Sequence, residues 1–125
     1  MKKQLLMICA LLFSFGAMAQ NGPQVTYRDG TVEGVDSSGV AIFRGVPFAQ
    51  PPVGKLRWQA PQPVKAWTGI RFAKAFGPDP VQYNAFGDMV FEGKGQSEDC
   101  LYLNIWTPAK EASAKLPVLI YFNGG

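Results

Sequence analysis

Asn123-Gly124-Gly125 follow directly on the apolar run Leu116-Pro117-Val118-Leu119-Ile120-Tyr121-Phe122. Glycine reaches backbone conformations closed to other residues, so a glycine pair lets main-chain N–H groups come close to a ligand. Such N–H groups behind a buried strand could hold developing negative charge. Any tight turn would use the same residues, so the pair alone is a weak sign. The missing residues matter equally. The 125 residues include no His, and no Gly-x-Ser-x-Gly spacing occurs among them. A Ser–His–acid triad therefore cannot be assembled from this chain. Cys100 is the other conceivable nucleophile. A catalytic thiol needs a basic partner, so Cys100 reads as a small buried apolar side chain.

Ser97-Glu98-Asp99 opens a stretch that then alternates: Leu101, Leu103 and Ile105 point one way, and Cys100, Tyr102, Asn104 and Trp106 the other. That period of two predicts a central strand with large side chains on both faces. Pro108 cannot donate to a ladder and should end it. Leu116–Phe122, short and apolar on both faces, reads as a fully buried central strand. Nearer the start, Val25–Arg28, a turn at Asp29-Gly30 and Thr31–Val35 read as a hairpin. A second turn at Asp36–Gly39 and a strand over Val40–Phe43 complete an expected antiparallel meander. Arg44 to Pro63 is broken by proline and glycine, and no regular element is expected there. Val46, Phe48, Val53, Leu56 and Trp58 are too apolar for a solvated linker, so this loop should pack on the domain. Asn84–Gln96 reads as an excursion before the central strand.

Met1–Ala19 has the form of a cleaved secretory leader. Lys2 and Lys3 start it, Leu5 to Phe15 is almost unbroken apolar chain, and Ala17-Met18-Ala19 is a small-x-small cleavage site. The run falls short of the about 20 apolar residues a membrane-spanning helix needs. Cleavage after Ala19 would release a secreted or periplasmic protein with no membrane anchor, leaving residues 20–125. It would also remove Cys9 and leave Cys100 alone. Twelve Lys and Arg stand against nine Asp and Glu. Two of the twelve lie in the leader, so the remainder is nearly neutral and offers nothing for nucleic acid. The 47% apolar content is enough for one core, and fourteen Gly with ten Pro favour strands and turns over long helices.

Glu98-Asp99-Cys100-Leu101-Tyr102-Leu103-Asn104, followed by Thr107-Pro108, resembles the hallmark of type-B carboxylesterases, the family of cholinesterases and bacterial nitrobenzyl esterases. Gly45-Val46-Pro47-Phe48-Ala49, Pro51-Pro52-Val53-Gly54, Leu56-Arg57-Trp58 and Trp67-Thr68-Gly69 continue the match. The resemblance implies an α/β-hydrolase fold, of which this chain would supply only the N-terminal portion. That portion comprises antiparallel edge strands and the first central strands of a mostly parallel sheet. It implies a serine esterase that hydrolyses a small carboxylic ester through an acyl-enzyme, with no metal or organic cofactor. The serine, acid and histidine would follow residue 125. Gly124 and Gly125 would belong to the oxyanion loop, with Gly125 a donor and Gly124 permitting the turn. Most relatives carry His where this chain has Asn123. Arg57 and Glu98 match a buried structural ion pair of the family. Many relatives bridge the cysteine of this word to one near the segment matching Phe76–Gln82; no cysteine stands there, so no disulfide is carried over. Two other readings stay open: a catalytically inactive, cholinesterase-like adhesion protein, and a complete small β-rich binding module. The chain by itself is expected to fold poorly and to leave nitrophenyl esters untouched.

Overall fold

A computed structural model describes residues 21–83, 90 and 92–122. The leader, Asn123, Gly124, Gly125 and most of the stretch from 84 to 91 lie outside the described residues. Among the described residues there are six strands: β1 (Gln24–Tyr27), β2 (Gly30–Glu33), β3 (Val35–Ser37), β4 (Val40–Pro47), β5 (Ile70–Phe72) and β6 (Tyr102–Thr107). Short 3₁₀ turns occupy Gly54–Leu56 and Ala112–Ala114.

The expected meander is instead split between two three-stranded sheets, ordered β1-β2-β5 and β3-β4-β6. Strand β2 pairs antiparallel with β1 and parallel with β5, while β3 and β6 both pair antiparallel with β4. The switch between sheets falls at Gly34. A Cβ there would lie 2.2 Å from the Ile42 carbonyl oxygen, so only glycine lets the backbone cross at that point. Val32, Ala41, Phe43, Val46 and Ala73 form the core, with Tyr27 and Trp67 packed against it.

Both hairpins form, with different turn chemistry. Ser38 and Gly39 both take left-handed backbone (φ 51° and 84°), the geometry of a two-residue turn whose twist suits antiparallel strands. Asp36 Oδ1 accepts the Gly39 N–H at 3.0 Å, and Lys110 Nζ donates to the Gly39 carbonyl at 2.6 Å. In the first hairpin the turn is Arg28-Asp29, one residue earlier than the sequence suggests, and Gly30 already pairs with Tyr27. The glycine serves packing there: a Cβ on Gly30 would sit 2.5 Å from the Trp67 ring.

Strand β4 runs on through Pro47, into the segment expected to lack regular structure. It does so by a bulge, where the pairing with β6 shifts between Phe43 and Val46. Gly45 lies in the bulge at φ 68°. Its N–H, out of the ladder, donates to Asn104 Oδ1 at 2.9 Å. Beyond the bulge Val46 and Ala49 are buried, but Phe48, Val53 and Trp58 are exposed, Trp58 at 95%. The expected packing of these three is thus not realised within the described residues. The two 3₁₀-type hydrogen bonds from Leu56 and Arg57 back to Val53 and Gly54 hold the loop by its own backbone.

Strand β6 ends at Thr107, directly before Pro108. It pairs with β4 alone among the described strands, so it is an edge here and not central. Leu103, Ile105 and Trp106 are accordingly part-exposed. Leu116–Phe122, expected to be a buried strand, is unpaired, and Leu119 is 95% exposed. A strand exists only by its ladder, and no described neighbour offers one.

Candidate functional site

The word Glu98–Asn104 sits at the entry to β6. Ser97 Oγ accepts the Asp99 N–H at 3.0 Å, and the N–H groups of Cys100 and Tyr102 reach back to the carbonyls of Glu98 and Cys100. These tight local bonds turn the chain from the loop into the strand. The base of that loop is closed by backbone bonds, from Asp79 N–H to the Gly95 carbonyl at 2.9 Å and from Ser97 N–H to the Asp79 carbonyl at 2.8 Å.

Arg57 Nη2 donates to Glu98 Oε2 at 2.5 Å, joining the proline-rich loop to this word. Both side chains are about half exposed, at 51% and 46%, so the pair is made but is not buried as the family resemblance implies. Solvent screens an ion pair at that exposure. Glu98→Gln in the longer protein is therefore expected to leave the urea midpoint within measurement error of the parent; a buried pair would give a large fall.

Cys100 is a free, half-buried thiol. Burial first, then the Asp99 and Glu98 carboxylates beside it, push its pKa up. Both effects disfavour the thiolate, and the thiolate is the reactive form.

Next to this word a cleft of about 220 Å³ opens between Pro47, Gln50, Lys65, Arg71, Asp99 and Tyr102. The Arg71 guanidinium stands 5.5 Å from the Trp67 ring centre and 5.9 Å from that of Tyr102. Burial, and then the Asp99 carboxylate, raise the Tyr102 phenol above its usual pKa. The Arg71 guanidinium over the Tyr102 ring thus links β5 to the entry of β6. None of these groups forms a nucleophile–base pair, and their arrangement holds strands together.

Sequence reasoning missed a second polar cluster. Glu33, only 4% exposed, receives Lys74 Nζ at 2.5 Å and Gln24 Nε2 at 2.6 Å. These partners hold its carboxyl below the usual carboxylate range, Lys74 first and Gln24 second. A depressed folded-state pKa makes the ionised form the stabilising one. Its contribution is complete above the unfolded value, about 4.3, and is lost as pH falls through the lower folded value. Acid titration should therefore loosen β1 and β5 from β2, seen as early loss of amide-exchange protection at Val32 and Glu33. In Glu33→Gln that acid step should vanish.

This geometry is shared with solved carboxylesterases, and on that likeness the chain forms the N-terminal portion of an α/β-hydrolase fold. The carboxylesterase family profile matches residues 21–125, and the chain belongs to that family. It is 46% identical over 101 residues to fumonisin B1 esterase of Sphingopyxis macrogoltabida, covering 78% of this chain and 18% of that protein. It is 43% identical over 100 residues to phenmedipham hydrolase of Pseudarthrobacter oxydans, covering 77% of this chain and 20% of that protein. Among solved structures it is similar to a carboxylesterase of Geobacillus stearothermophilus, with a TM-score of 0.60 and 40% identity. That likeness covers 70% of this chain and 17% of the other. The chain thus spans about a fifth of the length of the relatives it matches.

Proposed function

We propose that this chain is the N-terminal scaffold of a serine carboxylic ester hydrolase that works through an acyl-enzyme. The observation that carries the reading is the family match across residues 21–125, together with relatives named for ester hydrolysis. In this reading the described residues build and brace the edge of the catalytic domain. The bulge at Gly45, the Arg57–Glu98 link and the Arg71–Tyr102 contact fix the entry to β6. The serine, acid and histidine come from chain beyond residue 125. Gly125 supplies one N–H of the oxyanion hole and Gly124 permits the turn; the residue after the nucleophile supplies another donor. The substrate is a small carboxylic ester and no cofactor takes part. Met1–Ala19 directs export and is removed, which places the mature protein in the periplasm or outside the cell.

The test uses the coding sequence extended through everything that follows residue 125, expressed with its leader. Saturable hydrolysis of nitrophenyl acetate or butyrate is the expected result. A folded, exported protein that turns over neither ester would overturn the proposal and favour the adhesion reading.

A further inference from the structure

The proline-rich loop carries a large side chain where its backbone asks for a small one. Gln59 N–H donates to the Leu56 carbonyl at 3.1 Å. Between them Arg57 has φ −60° and ψ 131°, and Trp58 has φ 61°. This is the geometry of a type II turn, whose third residue needs left-handed backbone and is usually Gly or Asn. The same loop uses a glycine for such backbone at Gly54, φ 55°. Three non-glycine residues take left-handed backbone among the described residues, and Trp58 alone of them is aromatic. A bulky side chain is strained in that conformation. Such strain persists where surroundings beyond the turn demand that side chain.

No described residue demands it. The indole is almost fully exposed, and Phe48 and Val53 of the same loop are exposed as well. A loose loop is not the cause. Phe48 N–H donates to the Leu101 carbonyl at 3.1 Å, Gln50 N–H to the Gln62 carbonyl at 2.9 Å, and Arg57 Nη2 to Glu98. The turn is therefore held against the body of the domain with its ring outward. Tryptophan is over-represented among the residues that dominate protein contacts, because it brings a large area and has few rotors to freeze.

We propose that Trp58 is the anchor on which the chain beyond residue 125 docks, its indole seated in an apolar pocket of that later chain. The inference rests on the reading of this chain as the N-terminal scaffold of a longer hydrolase. The chain spans 18% and 20% of two relatives, so about four fifths of such a protein must be accommodated around two small sheets. Burial of the indole offsets the strain of the turn. Glycine or asparagine would form the same turn without strain and would hold nothing. A second copy as occupant would leave the ring bare in every free monomer, whereas a contact within one chain is made once, on folding. The contact takes the indole. The Arg57–Glu98 pair is complete within the described residues and lies at the wet rim.

The experiment uses the longer protein, isolated as a monomer, with Trp58 replaced by benzoylphenylalanine and irradiated. The expected product is an adduct within one chain, mapped by mass to a segment beyond residue 125. An adduct to a second copy, an adduct confined to residues 21–125, or no adduct would overturn the inference. Urea unfolding supplies an independent sign. Trp58→Gly relieves the turn and removes the ring, so a seated ring makes the midpoint fall by about 0.5–1 M. Trp58→Phe keeps a ring and loses less. A Trp58→Gly midpoint at or above that of the parent would overturn the inference, since relief of the backbone would then be the whole effect. Hydrolysis of nitrophenyl butyrate by the parent reports separately on the hydrolase reading. Turnover with no adduct beyond residue 125 sinks this inference alone. An adduct there in a protein that hydrolyses no ester sinks the hydrolase reading alone.

Discussion

On the oxyanion role proposed for Gly125, Gly125→Pro in the longer protein is expected to lower kcat by about 10²–10³-fold with KM little changed, the cost of one lost donor. Proline has no N–H, so the substitution deletes the donor outright. The donor matters when charge develops on the carbonyl oxygen and much less in the bound ester, so the loss should fall on kcat. Gly125→Ala keeps the N–H and is expected to lose less. Steady-state kinetics on one nitrophenyl ester decides the matter. Equal losses in the two variants would mean that Gly125 is needed for space and gives no donor.

Trp67→Ala carries the largest expected effect on stability, about 2 kcal/mol, less than the range for a fully buried aromatic because Trp67 is only partly buried. Its ring lies against Gly30, meets the Tyr27 ring edge-on at 5.7 Å and supports the Arg71 guanidinium. Its Nε1 donates to the Thr31 carbonyl at 3.0 Å, and its backbone N–H to the Asp29 carbonyl at 2.9 Å. One residue thereby ties the first hairpin to the segment leading into β5. Truncation would empty the face that Gly30 leaves open for the ring. Trp67→Phe keeps most of the packing and loses one hydrogen bond, so about 1 kcal/mol is expected. Urea unfolding of the longer protein checks both values, and a Trp67→Ala midpoint equal to the parent would contradict them.

Local elements are legible in the sequence and long-range ones are opaque. Asp36–Gly39 announces its turn because glycine takes left-handed backbone freely and an Asp side chain can close a turn on a nearby N–H. Pro108 announces the end of β6 because it lacks a donor. Gly30 misleads for a physical reason: a glycine after Asp resembles a turn, whereas this one yields space to a ring 37 positions away. Gly34 gives no local sign that it carries the chain between sheets, since the carbonyl that forbids a Cβ belongs to Ile42. Glu33 looks like the polar end of an alternating strand, and only the parallel pairing of β5 brings Lys74 to it. Leu116–Phe122 has the composition of a buried strand, but composition does not provide a ladder. At the site, the words carried by Glu98–Asn104 and Leu56–Trp58 are readable as a family resemblance. The half-exposed state of Arg57 and Glu98 is not, because exposure depends on what covers a side chain.

The central claim is that this scaffold serves a serine nucleophile lying further along the chain. It is tested most directly by treating the longer protein with a fluorophosphonate ester and mapping the adduct by mass. The account predicts one phosphonyl group, on a serine within a Gly-x-Ser-x-Gly sequence beyond residue 125, with loss of ester hydrolysis in step. An adduct on Ser37, Ser38, Ser97 or Ser113, or a folded protein that takes no label, would contradict it.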